Sequence, residues 1–116
     1  MALKFQLAIR RNALIIRLDG ELDQFSIGKL KNKVIKAMEN YQIRYLLFNF
    51  EKVNFMDSTG IGFIIGRYAE IKKRKGIIFI CSMSQMVERV FNLSGLCKIC
   101  FMSKNETDAI KYLEVS

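Results

Sequence analysis

Apolar residues alternate with polar or small ones at the start of the chain. Phe5, Leu7 and Ile9 fall on one side, and Lys4, Gln6 and Ala8 on the other. This period of two is that of a half-buried strand at a sheet edge. Arg10-Arg11-Asn12 interrupts it as a short turn. Ala13 to Leu18 resumes as a more apolar, more buried strand. So tight a connection predicts an antiparallel hairpin. The polar stretch Asp19 to Asp23 follows as a loop, with Gly20 free to take a positive φ.

From Ile27 the period changes. Ile27, Leu30, Val34, Ala37, Met38 and Tyr41 recur at three and four. They mark one face of a helix running to about Asn40, with Ser26 as its cap. Arg44 to Phe50 has the unbroken apolar centre of a strand covered on both faces. Glu51 to Met56 leads on, with Val53, Phe55 and Met56 packed. A second helix is expected from about Ser58 to Lys73, its core face formed by Ile61, Ile64, Ile65, Tyr68 and Ile71. Beside that face runs a stripe of small residues, Ser58, Gly62, Gly66 and Ala69. Glycine weakens a helix by about 1 kcal/mol. Such a stripe therefore implies close contact, either with another element of this chain or with a docked partner.

Gly76 is expected to cap that helix at its C-terminus. Ile77 to Cys81 reads as a fourth, buried strand. Ser82 and Ser84 offer caps for a helix from Gln85 to about Asn92, with Met86, Val87, Val90, Phe91 and Leu93 inward. Lys98 to Met102 reads as a short fifth strand. Glu106 to about Glu114 is a last helix with Ala109, Ile110, Leu113 and Val115 apolar. Strands alternating with helices predict right-handed crossovers and a mainly parallel sheet. The expectation is a single α/β domain over residues 1–116, with about five strands, about four helices and an antiparallel first edge strand.

Composition narrows the function. The 116 residues are 51% hydrophobic and 26% charged, as in one globular domain. No apolar run approaches the roughly 20 residues of a membrane span. Arg10 and Arg11 stand where a signal peptide would be apolar, so a cytoplasmic location is expected. The formal charge is +8. Its basic clusters, Lys29, Lys31, Lys33 and Lys36 on one helix and Lys72-Lys73-Arg74-Lys75 ending another, lack interleaved aromatics. They read as solvated faces rather than a nucleic-acid site. Cys81, Cys97 and Cys100 read as reduced, buried small hydrophobes. The CxxC spacing of the last two lacks the further ligands zinc needs, and the pair is expected at a strand. With no His, no His-based acid, base or triad is possible. No phosphate-binding Gly-Lys loop is present. Asp19, Glu21 and Asp23 could approach Mg²⁺, but loop carboxylates are commonly solvated. The reading is a protein that is not an enzyme, with no cofactor and no metal.

One stretch remains. Asp57-Ser58-Thr59-Gly60 lies between an apolar strand and a helix. Asp, Ser and Thr cap helix N-termini, and the positive end of the helix dipole tolerates a phosphate. Ser58 is thus either a plain cap or a hydroxyl placed to carry phosphate. In that setting, Asp57-Ser58-Thr59-Gly60-Ile61-Gly62 resembles the phosphorylation motif of STAS domains, the anti-anti-sigma factor family. The opening strand pair, Gly20-Glu21-Leu22-Asp23, the apolar third strand and the fourth strand fall in the family's order. The resemblance covers nearly the whole chain.

The resemblance implies a partner switch. The unphosphorylated protein would bind an anti-sigma factor that is also a serine kinase, releasing a sporulation sigma factor. The kinase would phosphorylate Ser58 and the pair would separate. A PP2C-type phosphatase would restore the first state. Asp23 matches the family's acidic residue near the serine, with Asp57, Thr59 and Gly60 around it. The expected partner surface is Asp23, Ser58, Thr59, Gly62, Gly66, Arg67 and Ala69, with no direct nucleic acid and no membrane. Two alternatives stand beside it. One is a receiver-like phosphoaspartate domain, with Asp57 as acceptor and Lys104 as its lysine. The other is a STAS scaffold module without a phospho-switch.

Overall fold

The computed structural model describes residues 3–115; Met1, Ala2, Ser116 and the side chain of Val115 lie outside that description. The element order is β1 (Lys4–Arg10), β2 (Ala13–Leu22), α1 (Ile27–Asn40), β3 (Tyr45–Met56), α2 (Ser58–Lys73), β4 (Ile77–Cys81), α3 (Gln85–Leu93), a 3-10 turn (Leu96–Lys98), β5 (Phe101–Ser103) and α4 (Glu106–Val115). One five-stranded sheet runs in the order β1-β2-β3-β4-β5. β1 is antiparallel to β2, and the other neighbours are parallel.

Because strand order follows chain order, every right-handed crossover steps the same way across the sheet. That places α1, α2 and α3 on one face. The core follows. Leu14, Ile16, Leu46, Phe48, Ile78 and Ile80 point to the three helices and pack with Leu30, Val34, Ile64 and Phe91. Their alternates Ile15, Leu47, Phe79 and Cys81 point the other way and meet Ala109 of α4. Phe48 meets Phe63 edge-on, with centroids 6.1 Å apart, which ties α2 to the central strand. A bidentate ion pair fixes the start of α4: Arg17 Nη2 and Nε donate to Glu106 at 2.7 and 3.0 Å. Asn49 Nδ2 adds a bond at 2.9 Å. A receiver-type sheet reverses direction after its first strand, in the order 2-1-3-4-5; this sheet never does, so the receiver alternative falls.

Several expectations need correction. β2 and β3 run on to Leu22 and Met56, beyond the expected Leu18 and Phe50. Their parallel pairing continues through register shifts at Arg17/Asp19 and Gly20/Glu21. The shifts turn both Val53 and Met56 inward and leave Phe55 exposed. In α2 the buried row is Gly60, Phe63, Ile64 and Ile71, and Ile65 is 46% exposed. Gly60 decides that rotation, since it must face the ends of β2 and β3. In α3 a single row, Val87 and Phe91, is buried. Met86 and Leu93 lie about 100° or more round the helix and are 69% and 83% exposed. Tyr41 is likewise exposed, as the residue that ends α1.

The expected strand at Lys98 is replaced by the 3-10 turn, entered through Gly95 at φ 86° and anchored by buried Leu96. Cys97 therefore lies on a turn, and β5 begins only at Phe101. Gly76 is not the left-handed residue after α2. Lys75 is, at φ 58°, and the Lys75 and Gly76 N–H groups donate to Lys72 O and Ile71 O. Gly76 is needed because a Cβ there would lie 1.6 Å from Arg44 O. Nor is Arg74 part of a solvated patch. It pairs with Glu70 at 3.1 Å and donates to Ile43 O and Met38 O.

Candidate functional site

The site is built where two parallel strands end. Leu22 pairs with Met56, and Asp57 N–H donates to Leu22 O at 3.2 Å. The turns that begin at Asp23 and Asp57 are therefore neighbours. Asp57 is extended (φ −112°, ψ −169°) and is the N-cap of α2. Its Oδ1 accepts Thr59 N–H at 2.9 Å and Gly60 N–H at 3.3 Å. Capping is thus the work of Asp57, and the reading of Ser58 as the cap is displaced. Ser58 is the first residue of α2 and exposed. Among the described residues its hydroxyl has no hydrogen-bond partner. Gly60 has a steric reason: a Cβ would meet Leu22 O at 2.8 Å and Met56 Cγ at 2.9 Å.

The Asp23 turn is closed on itself. Asp23 is buried. Its Oδ1 accepts Phe25 N–H and Ser26 N–H, each at 3.0 Å, and the Ser26 hydroxyl at 2.8 Å. Ser26 Oγ also lies 2.6 Å from Glu21 O. It makes no cap bond to α1; Asp23 O accepts Ser26 N–H and Ile27 N–H instead. The Ser26 hydroxyl, aided by the two backbone bonds, holds the Asp23 carboxyl below the usual carboxylate range. Asp23 is therefore anionic at neutral pH, but its acceptor capacity serves its own loop. In both acids at the site one oxygen, Oδ1, takes the bonds that position its turn.

The small-residue stripe faces outward. A Cβ at Gly62 or Gly66 would meet nothing within 4 Å, and Ala69 is exposed. Close packing within this chain therefore does not explain these glycines. They border a groove of about 260 Å³ between α1 and α2, lined by Ile27, Lys31, Thr59, Gly62, Phe63, Gly66 and Arg67. Arg67 is half-buried and donates to Met38 Sδ at 3.5 Å. Sequence reasoning found Thr59, both glycines and Arg67 but missed Ile27, Lys31 and Phe63. The signal for Lys31 was present. At about 100° per residue it falls beside the buried stripe of α1, whereas Lys29 and Lys36 fall opposite the stripe and Lys33 lies on its other flank. Phe25, 86% exposed next to Asp23, was also missed; it is an aromatic in an otherwise polar loop.

The remaining candidates do not join the site. Asp19 and Glu21 lie on β2, and among the described residues no three of Cys, Asp and Glu gather as a metal cluster would. Burial raises the Cys81 thiol pKa, and raises that of Cys100 to about 12, so both thiols stay protonated. Among the described residues no helix is long and apolar enough to cross a membrane.

Known proteins share this fold. The anti-sigma F factor antagonist of Paenibacillus polymyxa is 34% identical over 115 residues, covering 99% of this chain and 98% of the relative. The anti-sigma factor antagonist SpoIIAA in its unphosphorylated form has a solved structure with TM-score 0.87 and 32% identity. The match covers 97% of this chain and 98% of that one. The Bacillus cell fate determinant SpoIIAA in its phosphorylated form matches at TM-score 0.77 and 32% identity, over 95% and 99% of the two chains. The STAS domain matches residues 4–109. With five strands in chain order, three helices on one face and the Asp57 turn closing the third strand, the chain belongs to the STAS domain family.

Proposed function

We propose that this protein is an anti-sigma factor antagonist switched by phosphorylation of Ser58. Unphosphorylated, it binds an anti-sigma factor that is also a serine protein kinase and releases a sporulation sigma factor in the cytoplasm. The kinase phosphorylates Ser58 and the complex dissociates; a PP2C-type phosphatase restores the first state. The docking surface comprises Asp23, Ser58, Thr59, Gly62, Gly66, Arg67 and Ala69. The observation that carries the reading is the exposed Ser58 hydroxyl, relieved of capping by Asp57. The naming of its relatives as anti-sigma factor antagonists supports the partner class.

The physics of the switch is local. Phosphate adds about −1.5 to −2 charges at pH 7. At the first position of α2 the helix dipole stabilises that charge, so the fold need not change. A partner packed on the turn must instead desolvate a hydrated dianion beside the anionic Asp23. A penalty of about 3–4 kcal/mol lowers affinity several-hundred-fold.

Incubation with the cognate anti-sigma kinase and ATP, followed by mass mapping, tests the site. A single phosphate on Ser58 is expected; phosphate on Thr59, or none, overturns the assignment. In titrations with the same partner, Ser58→Ala binds whether or not ATP is present, and Ser58→Asp binds weakly. Equal binding of both variants would favour a STAS scaffold without a switch.

A further inference from the structure

The groove between α1 and α2 carries two cations with no anion. Among the described residues only Arg10, Arg17 and Arg74 pair with a glutamate, so a cation without a carboxylate is ordinary here; what sets Lys31 and Arg67 apart is that they line one groove. Lys31 and Arg67, on opposite walls of the groove, hold no carboxylate. The recorded side-chain bond of Arg67 is to the Met38 sulphur, a weak acceptor that leaves the charge uncompensated. Among the described residues its remaining N–H donors meet no carboxylate. The floor between the cations is apolar, formed by Ile27 and Phe63, both buried. Absent Cβ atoms at Gly62 and Gly66 keep the opening clear. The groove thus offers a short slot with an apolar floor and two positive walls, and Thr59, the neighbour of Ser58, lines it as well.

We propose that this groove receives an aspartate or glutamate side chain of the anti-sigma factor, its carboxylate between Lys31 and Arg67 and its methylenes against Phe63. The inference rests on the partner reading above and adds the chemistry of recognition. Charge complementarity selects the occupant: the chain is strongly cationic, and a planar guanidinium facing a slot matches a carboxylate fork. The phosphate on Ser58 then acts twice. It occupies the rim of the interface, and it brings a second anion close to the one the groove must hold.

The test is binding of the full chain to the purified anti-sigma factor of the same organism, read by calorimetry at low and at physiological salt. Lys31→Gln and Arg67→Gln are each expected to weaken binding by about tenfold or more at physiological salt. Lys33→Gln and Lys36→Gln remove the same charge from the other flank and the opposite face of α1 and should cost less than about twofold. Equal losses in all four variants would mean long-range steering alone, and that overturns the groove assignment. No loss at Lys31 or Arg67 overturns it as well. If Arg67→Gln melts early by circular dichroism, the exposed Lys31 decides the matter. A wild-type dimer in sedimentation that Lys31→Gln dissolves would make a second copy the occupant and overturn the partner carboxylate. Wild-type protein that fails to bind the anti-sigma factor sinks the partner reading itself, a result distinct from selective failure of the groove variants.

Discussion

Two neighbouring turns in this molecule carry the same residue types and do opposite things. Each opens where a parallel strand ends, at Asp23 after β2 and at Asp57 after β3. Each presents an aspartate and a serine to a helix start. In the first, Ser26 is drawn into the turn between Glu21 O and the Asp23 carboxylate. In the second, Asp57 bonds Thr59 and Gly60 N–H directly and leaves Ser58 outside. The difference is one of spacing. Three residues separate Asp23 from α1, so that loop must satisfy its own backbone groups, and the serine is consumed in doing so. Asp57 adjoins α2, so the carboxylate reaches the first free amides unaided. An accessible serine at a helix start is therefore a matter of which neighbour has already done the capping.

The sharpest way to break this contrast is to place the same charge in both turns. Ser26→Asp puts a carboxylate against Asp23 and Glu21 O and should cost about 3 kcal/mol in urea unfolding. Ser58→Asp adds charge at a helix N-terminus and should be neutral or stabilise by about 0.5 kcal/mol. Like effects at the two sites would erase the distinction. Next in size is Gly60→Ala, which forces a Cβ against Leu22 O and Met56 and loosens both turns together. A loss of about 2 kcal/mol is expected in the same assay, against a small gain for Gly62→Ala, where the space is open and alanine favours the helix.

Removal of the hydroxyls gives a smaller contrast. Ser26→Ala should cost about 1–2 kcal/mol and Ser58→Ala less than about 0.5 kcal/mol. The smallest effect is on pH dependence. The Asp23 carboxyl is held below its ordinary range, so its contribution is full above the unfolded value near pH 4. It is lost as pH falls through the lower folded value. The Glu106 carboxyl, held down by Arg17, acts in the same direction. Urea midpoints measured from pH 6 to pH 2.5 should therefore fall with acid, and less steeply in Asp23→Asn. An unchanged slope would show that the Asp23 carboxyl holds its proton equally in the folded and the unfolded chain, against the depressed folded value.

Much of this was readable along the chain. The two periodicities, with the unbroken apolar runs of β3 and β4, located the strands and helices apart from the 3-10 turn and the far ends of β2 and β3, because buried faces repeat at two or at 3.6 residues whatever their partners. The polar break after an apolar strand located the Asp57 turn, and the absence of His excluded whole classes of catalysis. The outward positions of Ile65, Met86 and Leu93 were not readable. On a short or glycine-rich helix several rotations satisfy the apolar pattern, and the choice among them belongs to what the helix packs on. For α2 that choice was made by Gly60, which alone could approach the ends of β2 and β3. The same rotation turned Gly62 and Gly66 to solvent and aligned Lys31 with Arg67 across a groove, although the two residues are far apart in the chain. Local sequence thus determined the elements and the motif. Only the tertiary structure decided which serine is free and which cations share a groove, because both depend on atoms that the chain brings together from different strands and helices.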